Sequence, residues 1–228
     1  MKKLEITEEK RIMIYAMVKN MTPNSDIYFE DHVRPVARNC FIYGKYLSKR
    51  DNKIDPIVCE LSGLLHDIGY TKRYESDEKD HIIRGIRIAP DILKEIGIDD
   101  YYMERIVDAI WTHDGNLNRS KYKKIPLENY ILNDVDAMQF FDWPLPSLTE
   151  FACRLKPNKK EENIIKGILE HTKLTFNYIE MRYFKNLAKP KYESRIEELE
   201  KESRMNNLEN IFKKFDYGHK RKGNRKIS

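Results

Sequence analysis

Long apolar stretches are missing from this 228-residue chain. No run approaches the roughly 20 residues that cross a bilayer, so no membrane is expected among its partners. The opening residues, Met1-Lys2-Lys3-Leu4-Glu5-Ile6, lack the apolar centre of a secretory signal, and a cytoplasmic location is the expectation. Cysteine is scarce and odd in number. Cys40, Cys59 and Cys153 all fall within apolar helical patterns, which argues for reduced, buried thiols rather than a disulfide framework. Strand-type alternation, internal repeats and low-complexity tracts are also wanting, and what remains reads as all-α.

A basic surface is absent too, although basic residues outnumber acidic ones by 42 to 37. Residues 219–228 carry Lys220, Arg221, Lys222, Arg225 and Lys226 and no acid, so the rest balances at 37 against 37. The surplus is expected to be a solvated, disordered tail, and nucleic acid is not an expected partner.

What is present is a series of capped helices. Thr7 caps a helix whose first turn holds Glu8 and Glu9. Asp31 is the expected cap of a second, with Pro35 in its first turn and His32 at its start. Asp55-Pro56 opens a third, through Val58, Leu61, Leu64 and Leu65, that ends on His66-Asp67. After a charged loop, Lys72 to Lys79, Asp80 caps a helix starting at His81, and Pro90 is expected to restart it. Asp99-Asp100 opens the next, ending at Trp111-Thr112-His113-Asp114-Gly115, and a later apolar helix contains Asn133-Asp134-Val135-Asp136-Ala137-Met138. Beyond Pro144 and Pro146, Glu161 to Leu187 reads as one long helical pattern. Tyr192, Ile196, Leu199, Met205, Leu208, Phe212 and Phe215 then form a narrower stripe.

A histidine and an aspartate at the buried end of an apolar helix need partners, because unpaired burial costs several kcal/mol. The chain offers them: His32, His66, His81 and His113 sit at helix ends, and Asp134 or Asp136 lies within an apolar helix. Mixed His/Asp donors suit first-row divalent metals rather than Ca²⁺.

Taken in order, these residues resemble the HD-domain superfamily of metal-dependent phosphohydrolases. His32 matches the family's first histidine. Leu64-Leu65-His66-Asp67-Ile68-Gly69 is similar to its central phrase, and Val135-Asp136-Ala137-Met138 to its terminal one, which favours Asp136 over Asp134. His81 with Gly85, and His113, resemble the additions of the branch with extra histidines. Pro35 stands where many members have an arginine, between Arg34 and Arg38.

The resemblance implies an HD-domain helical bundle over residues 1–140, its motifs within 28–140. Additional C-terminal helices over 141–218 would pack on that core and offer a surface for a homo-oligomer, and 219–228 form the tail. It implies that His32, His66, Asp67 and Asp136 hold one divalent ion, and that Asp67, His81 and His113 hold a second. One or two ions, of Mn, Fe, Co, Ni, Zn or Mg, satisfy it. Lys72, Arg73 and Arg84 are candidate phosphate contacts, and Asp114 is a candidate local base. The expected reaction is hydrolysis of a phosphoester of a small molecule, a nucleotide among the candidates, by a metal-activated water. The same six ligands are also similar to those of the superfamily's di-iron oxygenases. A non-catalytic helical binding module is the third reading.

Overall fold

The computed structural model describes residues 3–23, 25–71, 80–155 and 161–205. Lys72, Arg73, the tail 219–228 and the stripe residues Leu208, Phe212 and Phe215 lie outside the described residues. Among the described residues there are nine α-helices and no strand: α1 (Glu8–Met21), α2 (Arg34–Leu47), α3 (Pro56–Leu65), α4 (His81–Glu95), α5 (Asp100–Thr112), α6 (Leu127–Asp142), α7 (Leu145–Leu155), α8 (Glu161–Tyr178) and α9 (Arg182–Met205).

The caps follow the sequence pattern at four starts. Thr7 accepts from the Lys10 N–H, Asp55 from Ile57 and Val58, Asp80 from Ile82 and Ile83, and Asp99 from Tyr102. Each side chain satisfies amides left orphaned in a first turn. Asp55 also accepts from the Leu4 amide at 2.6 Å, tying the N-terminal strap to α3.

Asp31 is not a cap, contrary to the expectation. The chain is already helical there: the Asp31 N–H donates to the Ile27 carbonyl, and a π-helical turn, Phe29–Val33, runs directly into α2. Pro35 explains the wider turn. Inside a continuing helix its ring would clash with the carbonyl four residues back, and an extra residue in that turn relieves the clash. His32 sits on this turn.

Pro90 does not restart α4, which runs straight through it. One amide donor is lost, but the buried Ile88, Ala89, Ile92 and Leu93 around the proline hold the helix against its neighbours.

The expected long helix from Glu161 to Leu187 is broken after Tyr178. The break is made from outside. Asp134 of α6 accepts from the Glu180 and Met181 amides at 2.9 and 2.8 Å, and Asn133 donates to the Tyr178 carbonyl at 2.6 Å. Two neighbouring side chains of α6 thereby satisfy the end of α8 and the start of α9.

The helices enclose two apolar clusters. In the first, Ile14 and Val18 of α1, Leu61, Leu64 and Leu65 of α3, Ile106 and Ile110 of α5, and Ile164 and Ile168 of α8 are all buried. The second joins Val36 and Cys40 of α2, Ile131 and Val135 of α6, and Phe184 and Ala188 of α9. Cys40 and Cys59 are free and buried, whereas Cys153 is half-buried rather than buried as expected. Gly69, in the short helical turn Ile68–Tyr70 after α3, allows the tightest backbone approach among the described glycines. A Cβ there would stand 1.8 Å from the His81 carbonyl oxygen, so only glycine lets this turn seat against the start of α4. That contact brings His81 to Asp67.

Candidate metal centre

Four helix ends converge at the junction of the two clusters. α3 ends on His66, whose Nδ1 lies 2.8 Å from the Gly63 carbonyl. α5 ends on His113, whose Nδ1 lies 2.6 Å from the Ile110 carbonyl. A ring nitrogen next to a carbonyl must carry the proton, so both histidines turn an Nε2 lone pair inward.

These nitrogens surround two carboxylates. The Asp67 Oδ2 is 3.0 Å from His66 Nε2 and 3.5 Å from His32 Nε2. Its Oδ1 faces the other way, 3.3 Å from His81 Nε2 and 3.7 Å from His113 Nε2. The Asp136 Oδ1 lies 3.3 Å from His32 Nε2 and 3.4 Å from His66 Nε2. Two donor groups result, His32 with His66 and Asp67, and Asp67 with His81 and His113, and Asp67 is common to both. Asp134 points elsewhere, into the corner between α8 and α9.

The electrostatics match this crowding. Burial lowers the affinity of His66 for a proton, but the charges of Asp67 and Asp136 outweigh it and raise its pKa well above the ordinary value. Burial raises the Asp136 carboxyl, and His66 and His32 more than reverse that, holding it far below the usual range. Lone pairs of imidazole and carboxylate aimed at one another need a cation between them. Protons are one answer, and a divalent metal is the other that this donor set fits.

Rings lock the donors in place. His32 stacks on Trp143 at 4.6 Å between centroids, and on Tyr28 at 5.4 Å. His81 stacks on Tyr70 at 4.4 Å. The Tyr28 hydroxyl donates to Asp67 Oδ2. Burial and then the Asp67 charge push its phenol well above the ordinary range, so it remains a donor.

A cavity of about 130 Å³ opens onto this cluster. Asp114 lines it, from a left-handed backbone with φ 56°, followed by Gly115 at 76°. Burial raises the Asp114 carboxyl, and Asp136 adds to the rise. Arg84 does not line the cavity.

The reading of the sequence missed Tyr28, Tyr70, Trp143, Phe151, His171 and Thr175, all of which line the cavity or hold the clustered histidines and carboxylates. Only Tyr28 carried a signal, standing one helical turn before His32. The others reach the site from α7, α8 and the turns, which nothing local announces.

Residues 29–140 match the family model of the HD domain. No curated protein and no solved structure matches the chain. HD domains bind divalent metals and are generally metal-dependent hydrolases. The matched segment contains all six donors and stops before Trp143, α7 and α8.

Proposed function

With an HD domain over residues 29–140 as the premise, we propose that this protein is a metal-dependent phosphohydrolase that cleaves a phosphoester of a small molecule. The observation that carries the reading is the division of Asp67, one oxygen toward His32 and His66 and the other toward His81 and His113. His32, His66, Asp67 and Asp136 would hold one divalent ion, and His81 and His113 a second that shares Asp67. Such ions, when bound, make a water nucleophilic near neutral pH and neutralise charge developing on a phosphoryl group.

The chain's own side chains do the rest. Tyr28 fixes the Asp67 carboxylate, and the stacked Trp143 and Tyr70 hold His32 and His81 against rotation while excluding water. Asp114, half-buried at the cavity wall with its carboxyl raised by that burial, takes the proton from the attacking water. Lys72 and Arg73 are proposed as phosphate contacts on the sequence argument alone. Self-association through the C-terminal helices is a further proposal, supported by the exposed Tyr183 and Leu187 of α9; a monomeric mass in light scattering would refute it.

The shared aspartate also suits the di-iron oxygenase reading, so the test must separate the two. Protein purified without chelators is analysed for metal and then screened for phosphatase activity with Mn²⁺, Co²⁺, Ni²⁺ and Mg²⁺. The expected result is one or two divalent ions per chain and metal-dependent release of phosphate. Bound iron with O₂ uptake and no phosphate release would overturn the hydrolase. His66→Ala or Asp67→Ala is expected to lose both metal and activity with helical circular dichroism intact; full metal content in both would overturn the ligand assignment. Among the described residues no helix is long and apolar enough to cross a membrane.

A further inference from the structure

Next to the metal-site cavity lies a second chamber of about 240 Å³. The two share a wall made by Tyr70, Phe140, Trp143, Phe151 and His171. On its other sides the second chamber is bounded by α7 and α8, which lie beyond the segment matching the HD domain. This space is therefore an addition by this chain to the domain's common frame.

Its lining is mainly apolar. Leu148, Ile164 and Ile168 are buried along it, Trp143 and Phe151 pack against each other with ring centroids 5.3 Å apart and planes tilted by 38°, and no Lys, Arg, Asp or Glu is among the described lining residues. Aromatic faces favour a flat ring by offset or edge contacts, and an apolar lining penalises a charged group. One end of the chamber meets the metal centre.

A second observation concerns its rim. Gly167 stands in the interior of α8, where glycine is the poorest choice short of proline. Among the described residues, neither packing nor backbone requires it: a Cβ built there meets no atom of theirs within 4 Å, and its φ is not in the left-handed region. Gly167 lines the chamber and is exposed, as is Asn163 one helical turn earlier. Any larger residue at 167 would stand in the mouth.

We propose that this chamber binds a flat, uncharged ring carried by the substrate, with Gly167 keeping its mouth open. The link from that ring to a phosphate rests on the phosphohydrolase reading; the binding of the ring does not.

Two measurements keep these apart. In the first, metal-loaded protein hydrolyses benzyl phosphate and ethyl phosphate, whose alcohols leave with similar ease. Benzyl phosphate is expected to be preferred in kcat/KM by roughly tenfold or more, mostly through KM. Gly167→Leu should lower that preference about tenfold, and Gly167→Ala, the safer variant for folding, by less. An unchanged ratio in Gly167→Leu would overturn the chamber assignment.

The second measurement needs no catalysis. In Trp111→Phe protein the remaining tryptophan, Trp143, reports on the chamber, and 4-nitrobenzyl alcohol is an uncharged ring that quenches indole emission. Saturable quenching that Gly167→Leu abolishes is expected. Linear quenching, identical in both proteins, would overturn the inference whatever the phosphatase assay shows. Saturable quenching without phosphate release from either ester would sink the phosphohydrolase and leave the ring site standing.

Discussion

Asp67 is held by a hydroxyl as well as by imidazoles, and that hydroxyl separates a tuned ligand from a merely adjacent one. Removing a group that orients a metal ligand commonly costs 10–100-fold in affinity. Tyr28→Phe keeps the ring that stacks on His32 and deletes only the donor to Asp67. Mn²⁺ affinity, measured by competition with a chelator, is expected to fall about 10–100-fold, with thermal stability of the metal-free protein nearly unchanged. Protons compete for the same site. In metal-free protein the raised His66 pKa contributes stability that is complete below the unfolded value of 6.5 and is lost as pH rises through the folded value. Asp136 works in the opposite sense, its lowered pKa contributing stability above 3.8 that is lost as pH falls. Chelated protein should thus lose melting temperature from pH 6.5 upward, and added Mn²⁺ should recover more at pH 8.5 than at pH 6. Equal metal-induced shifts at both pH values would show that the ion does not displace these protons. The four histidines and Asp67 were legible because titratable groups at the ends of apolar helices have few physical explanations, whereas Asp136, inside a helix, was separated from Asp134 only by the family resemblance. The rings around them were not, since stacking is decided by tertiary approach; His171 in mid-helix had no companion to mark it.

At the scale of elements, sequence periodicity placed α1 to α6, apart from the start of α2 and the passage of α4 through Pro90, and failed at the α8–α9 corner. The reason is that α6 supplies the caps. Asp134 accepts two amides of the corner, and a segment capped from a helix forty-odd residues away carries no local stop signal. Asp134→Ala leaves those amides without their buried acceptor, which costs about 1–3 kcal/mol for each unsatisfied group. With two amides affected, urea unfolding should show a loss of up to about 2–6 kcal/mol. Charge adds a pH signature. Burial, working against its own hydrogen bonds, pushes the Asp134 carboxyl up to about 6 from 3.8. A raised folded value means that the contribution is complete below 3.8 and is lost as pH climbs through 6, at about 1.4 kcal/mol per unit of displacement. Relative to Asp134→Asn, wild-type protein should lose stability between pH 4 and pH 6 and hold a constant difference above pH 7. A difference independent of pH would mean that the carboxylate is already charged throughout. The same corner explains why Asp134 and Asp136, two residues apart, serve unrelated ends: their side chains leave α6 on different faces, one toward the C-terminal helices and one toward the histidines.

For the whole molecule, the question is whether residue 140 is a boundary of folding or only of the shared motif. The core argues for the second. Ile164, Ile165, Ile168 and Leu199 are buried in the first cluster, and Ile179, Phe184 and Ala188 in the second. Arg195 of α9 reaches back to donate to the Phe141 and Trp143 carbonyls at the end of α6. Full burial of one large aliphatic or aromatic side chain is worth about 1.5–3 kcal/mol. Six such side chains together match or exceed the roughly 5–15 kcal/mol that separates a folded domain from its unfolded chain. We therefore propose that residues 1–205 fold as one unit, in which the C-terminal helices complete both clusters and one wall of the site. A chain ending at Leu155 should lose cooperative thermal unfolding and bind no metal, and adding residues 161–205 as a separate peptide should not restore a sharp transition at micromolar concentration. A chain ending at Tyr217, lacking only the basic tail, should melt and hydrolyse a small phosphoester as the full chain does. If the shorter chain instead melts sharply and retains metal, the HD-matched segment folds alone, and the ring chamber becomes an appendage whose loss would alter substrate preference without touching the metal centre.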